Sequence, residues 1–291
     1  MKKRGLLTLF IVVVMVFLTG CFGSGQEGEE DFVIGIIPSL NQGEMQEAVT
    51  RLAAVLEREL DRPVDVSVYA DYNGVVEAMN YGQIDMAYYG PLTYVIVNKQ
   101  SGAQAIITQL VDGEPWYYSY IIAPLDAPFD NIEEMLAKSQ DITFAFADPN
   151  STSGSLVPAL MLKEKGVFRG PNDHDFKDVQ YSGSHDVTAA AVEQGNVDAG
   201  AIDSAIYDML VRNGKADADK IKVIWQSEEL FQYPWAVKSG TPQETITALQ
   251  EAFLSIDDPV ILDAFAASGF TIAEDADYLP IREAAEADGR I

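Results

Sequence analysis

The chain has 291 residues, 45 acidic side chains against 19 Lys and Arg, a formal net charge of -26 and one cysteine. That balance disfavours nucleic acid as a partner, since such binding depends on Lys and Arg neutralising phosphates. A lone cysteine excludes an intramolecular disulfide and argues against a cysteine-based metal site.

In chain order, Lys2, Lys3 and Arg4 precede an apolar run over residues 5–18, followed by Leu18, Thr19, Gly20 and Cys21. The run is short for a transmembrane helix and ends in small residues, so residues 1–20 read as a signal peptide. Leu-Thr-Gly-Cys looks like a bacterial lipobox, which would place a lipid on Cys21. Residues 21–31 then form a lipidated cysteine with a Gly-, Ser- and acid-rich flexible tether. This predicts an extracytoplasmic protein held to the cell membrane through its N-terminal lipid.

The body begins with a strand over 32–38, stopped by Pro38. Met45, Val49, Leu52, Leu56 and Leu60 fall three or four apart and predict a helix over 44–60. Val64, Val66 and Val68 alternate with polar residues and predict a strand. A short helix over 73–80, a strand over 84–89, a helix opened by Gly90-Pro91 and strands over 105–110 and 118–123 come after it. The alternation continues with a helix at 131–136, a strand at 143–147, a helix running to 165 and a strand near Val179. Next come a helix at 186–194, a strand at 199–202, a helix at 204–213 and a strand at 221–225. The tail reads as helical, over 241–255 and 259–267. Alternating strands and helices predict α/β folding around mainly parallel sheets. The expected division is a first lobe over 32–123, a second over 124–225, and a return to the first over 226–291.

Three segments carry candidate chemistry. Asp148-Pro149-Asn150-Ser151-Thr152-Ser153-Gly154-Ser155 sets three consecutive hydroxyls at a helix start, where free N–H groups and the helix dipole favour an anion. Simple N-capping would need only one of them. Ser182-Gly183-Ser184-His185 puts a histidine at another helix start. Val197 to Asp203 parallels Gln83 to Gly90, each a turn with an aspartate and then a strand. Ligands of open α/β sheets sit at the carboxyl ends of strands, which makes Asp203 and Tyr89 cleft candidates and Asp85 and Asp198 structural ones. Tyr72 and Tyr117 flank strands, and a phenol donates to an anion while its ring closes a pocket. No metal-ligand spacing or dinucleotide fingerprint occurs, so no metal and no cofactor are expected.

Taken together, Asp71 to Met79 (DYNGVVEAM), Asp85 to Pro91 (DMAYYGP), Asp148 to Pro158 (DPNSTSGSLVP) and Gly183-Ser184-His185 give the chain a pattern that resembles the PhnD family. These are the phosphonate, phosphite and phosphate binding proteins of ABC importers. The resemblance implies a two-lobed periplasmic-binding-protein fold of type II kind, with a hinge and an interlobe ligand cleft. It implies that Tyr72, Tyr117, Ser151, Thr152, Ser153 and His185 hold the phosphorus oxygens, with Tyr118 the alternative to Tyr117 because strand register decides which faces inward. It also implies an ABC permease as partner, and a monomer is expected. Asp203 would serve the ammonium of an aminoalkylphosphonate, accept a proton from a protonated phosphorus oxygen, or discriminate against fully ionised phosphate. Two other readings stand beside capture for import. One is a binding lipoprotein of the same fold for another solute or for a sensor kinase. The other is an extracytoplasmic hydrolase with Ser151 or Ser153 as nucleophile and His185 as base, although no Gly-x-Ser-x-Gly elbow is present.

Overall fold

The computed structural model describes residues 31–40 and 42–291. The expected signal peptide, Cys21 and all of the tether except Asp31 lie outside the described residues. The chain begins with β1 (Phe32–Ile36), α1 (Gln42–Leu60), β2 (Val64–Val68), α2 (Tyr72–Asn80), β3 (Met86–Tyr88), α3 (Pro91–Ser101), β4 (Gln104–Leu110) and β5 (Trp116–Tyr117). It continues with β6 (Ser119–Pro124), α4 (Ile132–Leu136), β7 (Thr143–Phe146), α5 (Val157–Glu164), β8 (Phe168–Gly170), β9 (Asp173–His174), β10 (Asp178–Tyr181), α6 (His185–Glu193), β11 (Ala199–Asp203), α7 (Ser204–Arg212) and β12 (Ile221–Gln226). It ends with β13 (Leu230–Phe231), β14 (Pro234–Val237), α8 (Gln243–Leu254), α9 (Pro259–Ala264), β15 (Gly269–Ile272) and α10 (Leu279–Ala287).

Two sheets organise the body. The first has six strands in the order β15-β4-β14-β3-β1-β2, and the second has five in the order β10-β7-β11-β6-β12. Both are mixed, where the sequence predicts mainly parallel sheets. In the first, β1 pairs parallel with β2 and β3, but β14 runs antiparallel between β3 and β4. In the second, β7 pairs parallel with β10 and β11, while β6 is antiparallel to both β11 and β12.

Two expectations are corrected by this topology. The strand predicted over 118–123 is expected to close the first lobe, yet β6 lies inside the second sheet. Alternation specifies which faces of a strand are buried and says nothing about its sheet. The tail, expected to be helical, contributes β14 and β15 to the first sheet. β14 is only Pro-Trp-Ala-Val and buried on both faces, so it shows no period-2 signal, and its proline sits at the one strand position that needs no donor. The return of the tail to the first sheet is therefore made by strands as well as helices.

The apolar side chains of α1 predicted from spacing, Met45, Val49, Leu52 and Leu56, are all buried. The second sheet packs on both faces, with Ile122, Ala145 and Ile202 toward one cluster and Ile121, Phe144 and Phe146 toward another. Burying each isoleucine or phenylalanine among them contributes about 1.5–3 kcal/mol.

Asp85 and Asp198 play matching parts at the strand starts. Asp85 Oδ2 accepts the Val33 N–H of β1 at 2.9 Å, and its other oxygen pairs with Lys238. Asp198 Oδ2 accepts the Thr143 N–H of β7 at 2.8 Å. Each pins an amide at the start of the adjacent strand, the second of β1 and the first of β7. Asp85→Ala is expected to cost about 1–3 kcal/mol by urea unfolding. Asp198→Ala should cost less, because water reaches its partner. A reversed order would show that these bonds do not set the register.

Candidate functional site

After β7 the chain makes a tight turn in which Asp148 Oδ1 accepts the Asn150 N–H at 2.7 Å and Asp148 O accepts the Ser151 N–H at 2.9 Å. Ser151 caps the next turn, its Oγ accepting the Gly154 N–H at 3.0 Å. Residues Thr152–Leu156 then wind as a π-helical turn before α5 begins. Such turns frequently mark functional sites, and the first amides of a helix have no intrahelical acceptor. Gly154 makes the close packing possible. A Cβ there would lie 2.4 Å from Ala147 Cβ and 3.0 Å from His185 Cε1. From β6, Ser119 Oγ donates to Ser153 O at 2.6 Å.

His185 enters from the second predicted segment. Gly183 takes φ +90, a value that L side chains rarely adopt, and turns the chain so that His185 becomes the first residue of α6. The His185 N–H donates to Ser39 O of the first lobe at 3.2 Å. Its Nδ1 accepts the Asp203 N–H at 3.2 Å. The ring is fully buried, and burial lowers its pKa to about 3. The imidazole is therefore neutral near pH 7, and with Nδ1 as acceptor its proton sits on Nε2. Nε2 lies 3.5 Å from Ser151 Oγ and 3.2 Å from the Tyr233 hydroxyl.

Tyr72 and Tyr117 arrive from the first lobe and the crossing strand. Asp71 caps α2 by accepting the Gly74 N–H at 2.8 Å, which sets Tyr72 at the first helical position. Both tyrosines are buried, and the hydroxyls of Tyr72, Tyr117 and Ser153 have no hydrogen-bond partner. Tyr72 neighbours Ser151, and Tyr117 neighbours Ser153 and Thr152. Burial, followed by the Asp148 carboxylate at Tyr72 and the Asp203 carboxylate at Tyr117, pushes both phenols well above their ordinary range, so they remain donors. Thr152 is partly committed: its Oγ1 accepts the Leu92 N–H of α3 at 2.8 Å and keeps its proton to donate.

Asp203 ends β11 and caps α7, with Oδ1 accepting the Ile206 N–H at 3.0 Å. Burial raises its pKa to about 7, against the opposing effect of that amide and the Tyr233 hydroxyl. One carboxyl group that burial has raised to about 7 thus stands beside a neutral histidine. Among the described residues, no Lys or Arg side chain is hydrogen-bonded to Tyr72, Tyr117, Ser153, His185 or Asp203.

Tyr118 and Tyr89 stand apart from this cluster. The Tyr118 hydroxyl reaches outward to Glu229 at 3.3 Å, so the register turns Tyr117 inward and Tyr118 away. Tyr89 is buried with an unpartnered hydroxyl, but it neighbours Tyr69, whereas Tyr88 lies in the field of Asp203. Tyr233 belongs to the cluster and is absent from the sequence-based candidates. It precedes β14, bonds His185 and packs edge-on against Tyr117 at 5.5 Å. The aromatic-rich run Phe231-Gln232-Tyr233-Pro234-Trp235 is its only signal in the sequence.

Residues 34–278 match the family described as ABC transporter, phosphonate, periplasmic substrate-binding protein. The chain belongs to this family. It is 28% identical over 265 residues to the phosphonates-binding periplasmic protein of Escherichia coli, covering 89% of this chain and 77% of that one. It is 29% identical over 254 residues to the phosphate-import protein PhnD of Mycolicibacterium smegmatis, covering 82% and 78%. Its fold matches that of PhnD1 from Prochlorococcus marinus, solved in complex with methylphosphonate, at a TM-score of 0.79 and 25% identity, covering 89% of this chain and 98% of that one. The family is one of substrate-binding transport proteins with two lobes, as the two sheets show.

The two buried ionisable groups oppose each other in acid. His185, with a folded pKa of about 3 against an ordinary 6.5, leaves the unfolded chain holding more protons as pH falls through 6.5, and stability is lost. Asp203, with about 7 against 3.8, lets the folded protein take the proton first, and stability is gained from pH 7 downward. Urea unfolding between about pH 7 and 4 should therefore show Asp203→Asn losing stability relative to the wild type and His185→Gln gaining it. Parallel pH profiles for all three proteins would mean that neither group titrates as placed.

Proposed function

We propose that this chain captures a small phosphorus oxyanion, a phosphonate, phosphite or phosphate, and delivers it to the permease of an ABC importer. The observation that carries the reading is a set of three buried, unpartnered hydroxyls, on Tyr72, Tyr117 and Ser153, in one cluster of neighbouring side chains. Leaving each unsatisfied costs about 1–3 kcal/mol, so together they favour a ligand with several acceptor oxygens. Ser151, Thr152 and the His185 Nε2–H add further donors, and Asp203 supplies a carboxyl group that switches between donor and acceptor near neutral pH. The oxyanion charge is met by dipoles in a water-poor site, where each hydrogen bond is stronger than in water. Substrate capture also accords with the tautomer of His185. With its proton on Nε2 it is a donor toward Ser151 and cannot serve as the base that would activate a serine nucleophile.

The placement of the protein rests on the same reading together with the lipobox-like Leu18-Thr19-Gly20-Cys21. A lipid on Cys21 would tether the body at the outer face of the cell membrane, within reach of its permease.

Calorimetric titration of the body without residues 1–21 tests the proposal. The panel is phosphite, methylphosphonate, 2-aminoethylphosphonate, hypophosphite, phosphate and sulfate. One phosphorus compound is expected to bind at least ~100-fold more tightly than sulfate, since a site built of fixed donors and acceptors rejects ligands with the wrong protons. Ser153→Ala and Tyr72→Phe should each weaken it ~10–100-fold, the range for one hydrogen bond to a charged group. A preference for the amino compound would put Asp203 on the ammonium. Folded protein silent to the whole panel would overturn the reading.

A further inference from the structure

The segment that carries the hydroxyls is held from behind by charges at the far end of the chain. Helix α10 packs on the first lobe, where Arg282 reaches Asn98 of α3. The residue that ends it, Asp288, has a side chain only 4% exposed. Its Oδ1 accepts from Lys163 of α5, in the second lobe, at 2.5 Å, and its Oδ2 pairs with Arg290 at 2.9 Å. Burial alone would push this carboxyl up, but the hydrogen bonds from Lys163 and Arg290 outweigh it and hold the group below its ordinary value. Arg290 in turn donates Nη1 to Pro149 O and both Nη1 and Nη2 to Ser155 Oγ, the latter at 3.3 and 3.4 Å.

Pro149 and Ser155 bracket the Ser151–Ser153 trio. The trio is thus gripped at both ends by one guanidinium, which is itself oriented by a nearly enclosed carboxylate. Two more first-lobe contacts fall on the same segment: Leu92 N–H on Thr152 Oγ1 at 2.8 Å, and Thr93 Oγ1 on Asn150 O at 3.1 Å. Among the described residues, Arg290 is the only Lys or Arg hydrogen-bonded to residues 148–155. A planar fork suits this place better than an ammonium, since it spans two acceptors without turning.

We infer that Arg290, oriented by Asp288 and Lys163, is a positioning residue for ligand capture. It locks residues 149–155 against the first lobe when the lobes meet, fixing the hydroxyls in their receiving geometry and slowing ligand escape, without touching the ligand. The inference rests on the proposed capture of a phosphorus oxyanion. In a protein this acidic it also places a positive charge behind the neutral donors, where it favours the anion and stays paired with Asp288.

The test compares the wild type with Arg290→Ala, Arg290→Lys and Asp288→Asn by stopped-flow kinetics, with the phosphorus compound that the wild type binds best. Hydrogen–deuterium exchange of residues 149–156 is measured on the ligand-free proteins. Arg290→Ala is expected to release ligand ~10-fold faster or more, within the usual range of coupling between sites, with association changed much less. Exchange of the segment should quicken. Arg290→Lys should recover only part of the loss, and Asp288→Asn should behave like Arg290→Ala. A merely structural role would lower the melting temperature and leave the release rate alone; an unchanged release rate in Arg290→Ala overturns the inference. If the wild type binds nothing in the panel, the capture reading fails, and exchange decides the clamp separately: quicker exchange in Arg290→Ala supports it and equal exchange overturns it.

Discussion

The backbone and outer side chains of residues 148–156 are satisfied so thoroughly that the hydroxyls on the inner side are left over. Ser151 Oγ takes the Gly154 amide, Ser119 takes the Ser153 carbonyl, and Thr93 takes the Asn150 carbonyl. A turn with fewer anchors would spend Ser153 on its own amides, as serines at helix starts commonly do. Here the π-helical winding and the absence of a Cβ at Gly154 keep the turn rigid against His185. The rest of the molecule serves this arrangement. The second sheet supplies the turn and the histidine, and the phenols come from the start of α2 and from the β5–β13 ribbon.

Electrostatics explains why the donors are neutral. A cation in contact with the ligand would bind many anions strongly and choose among them poorly. Dipoles held at fixed angles reward a matching set of oxygens and protons and leave a mismatched ligand with unmet groups. Burial enforces neutrality on His185 and raises the pKa of Asp203 to about 7. The two groups touch through the Asp203 amide, so the pocket's proton inventory is set by its own architecture.

Much of this was legible in the sequence because it rests on local chemistry. Hydroxyls at a helix start, a short helix over 73–80 next to Tyr72, and a histidine at a helix start are encoded within a few residues each. The inward tyrosine depends on strand register, which the sequence left between Tyr117 and Tyr118; the Glu229 contact turns Tyr118 outward. Tyr233 was hidden because β14 is four residues long, buried on both faces and headed by proline, so no periodicity announces it. Sheet membership was equally silent. β6 looks like any alternating strand, and only its antiparallel partners, β11 and β12, assign it to the second sheet. Arg290 lies 135 residues from Ser155, a pairing that tertiary packing alone creates.

The chain passes between the lobes twice, once between β5 and β6 and once between β12 and β13. The two passages are tied together, because β5 and β13 pair antiparallel, Tyr117 opposite Leu230 and Trp116 opposite Phe231. Two connectors laced to each other in this way tolerate twisting about their common line and resist sliding past one another. Tyr117 sits on that line. On the proposed capture, its phenol lies close to the line about which the lobes would turn, and the Ser151–Ser153 turn would be the part that moves to meet it. The size of a guest would then be read in the angle at which the two lobes come to rest, which would make the laced connectors part of the measuring device.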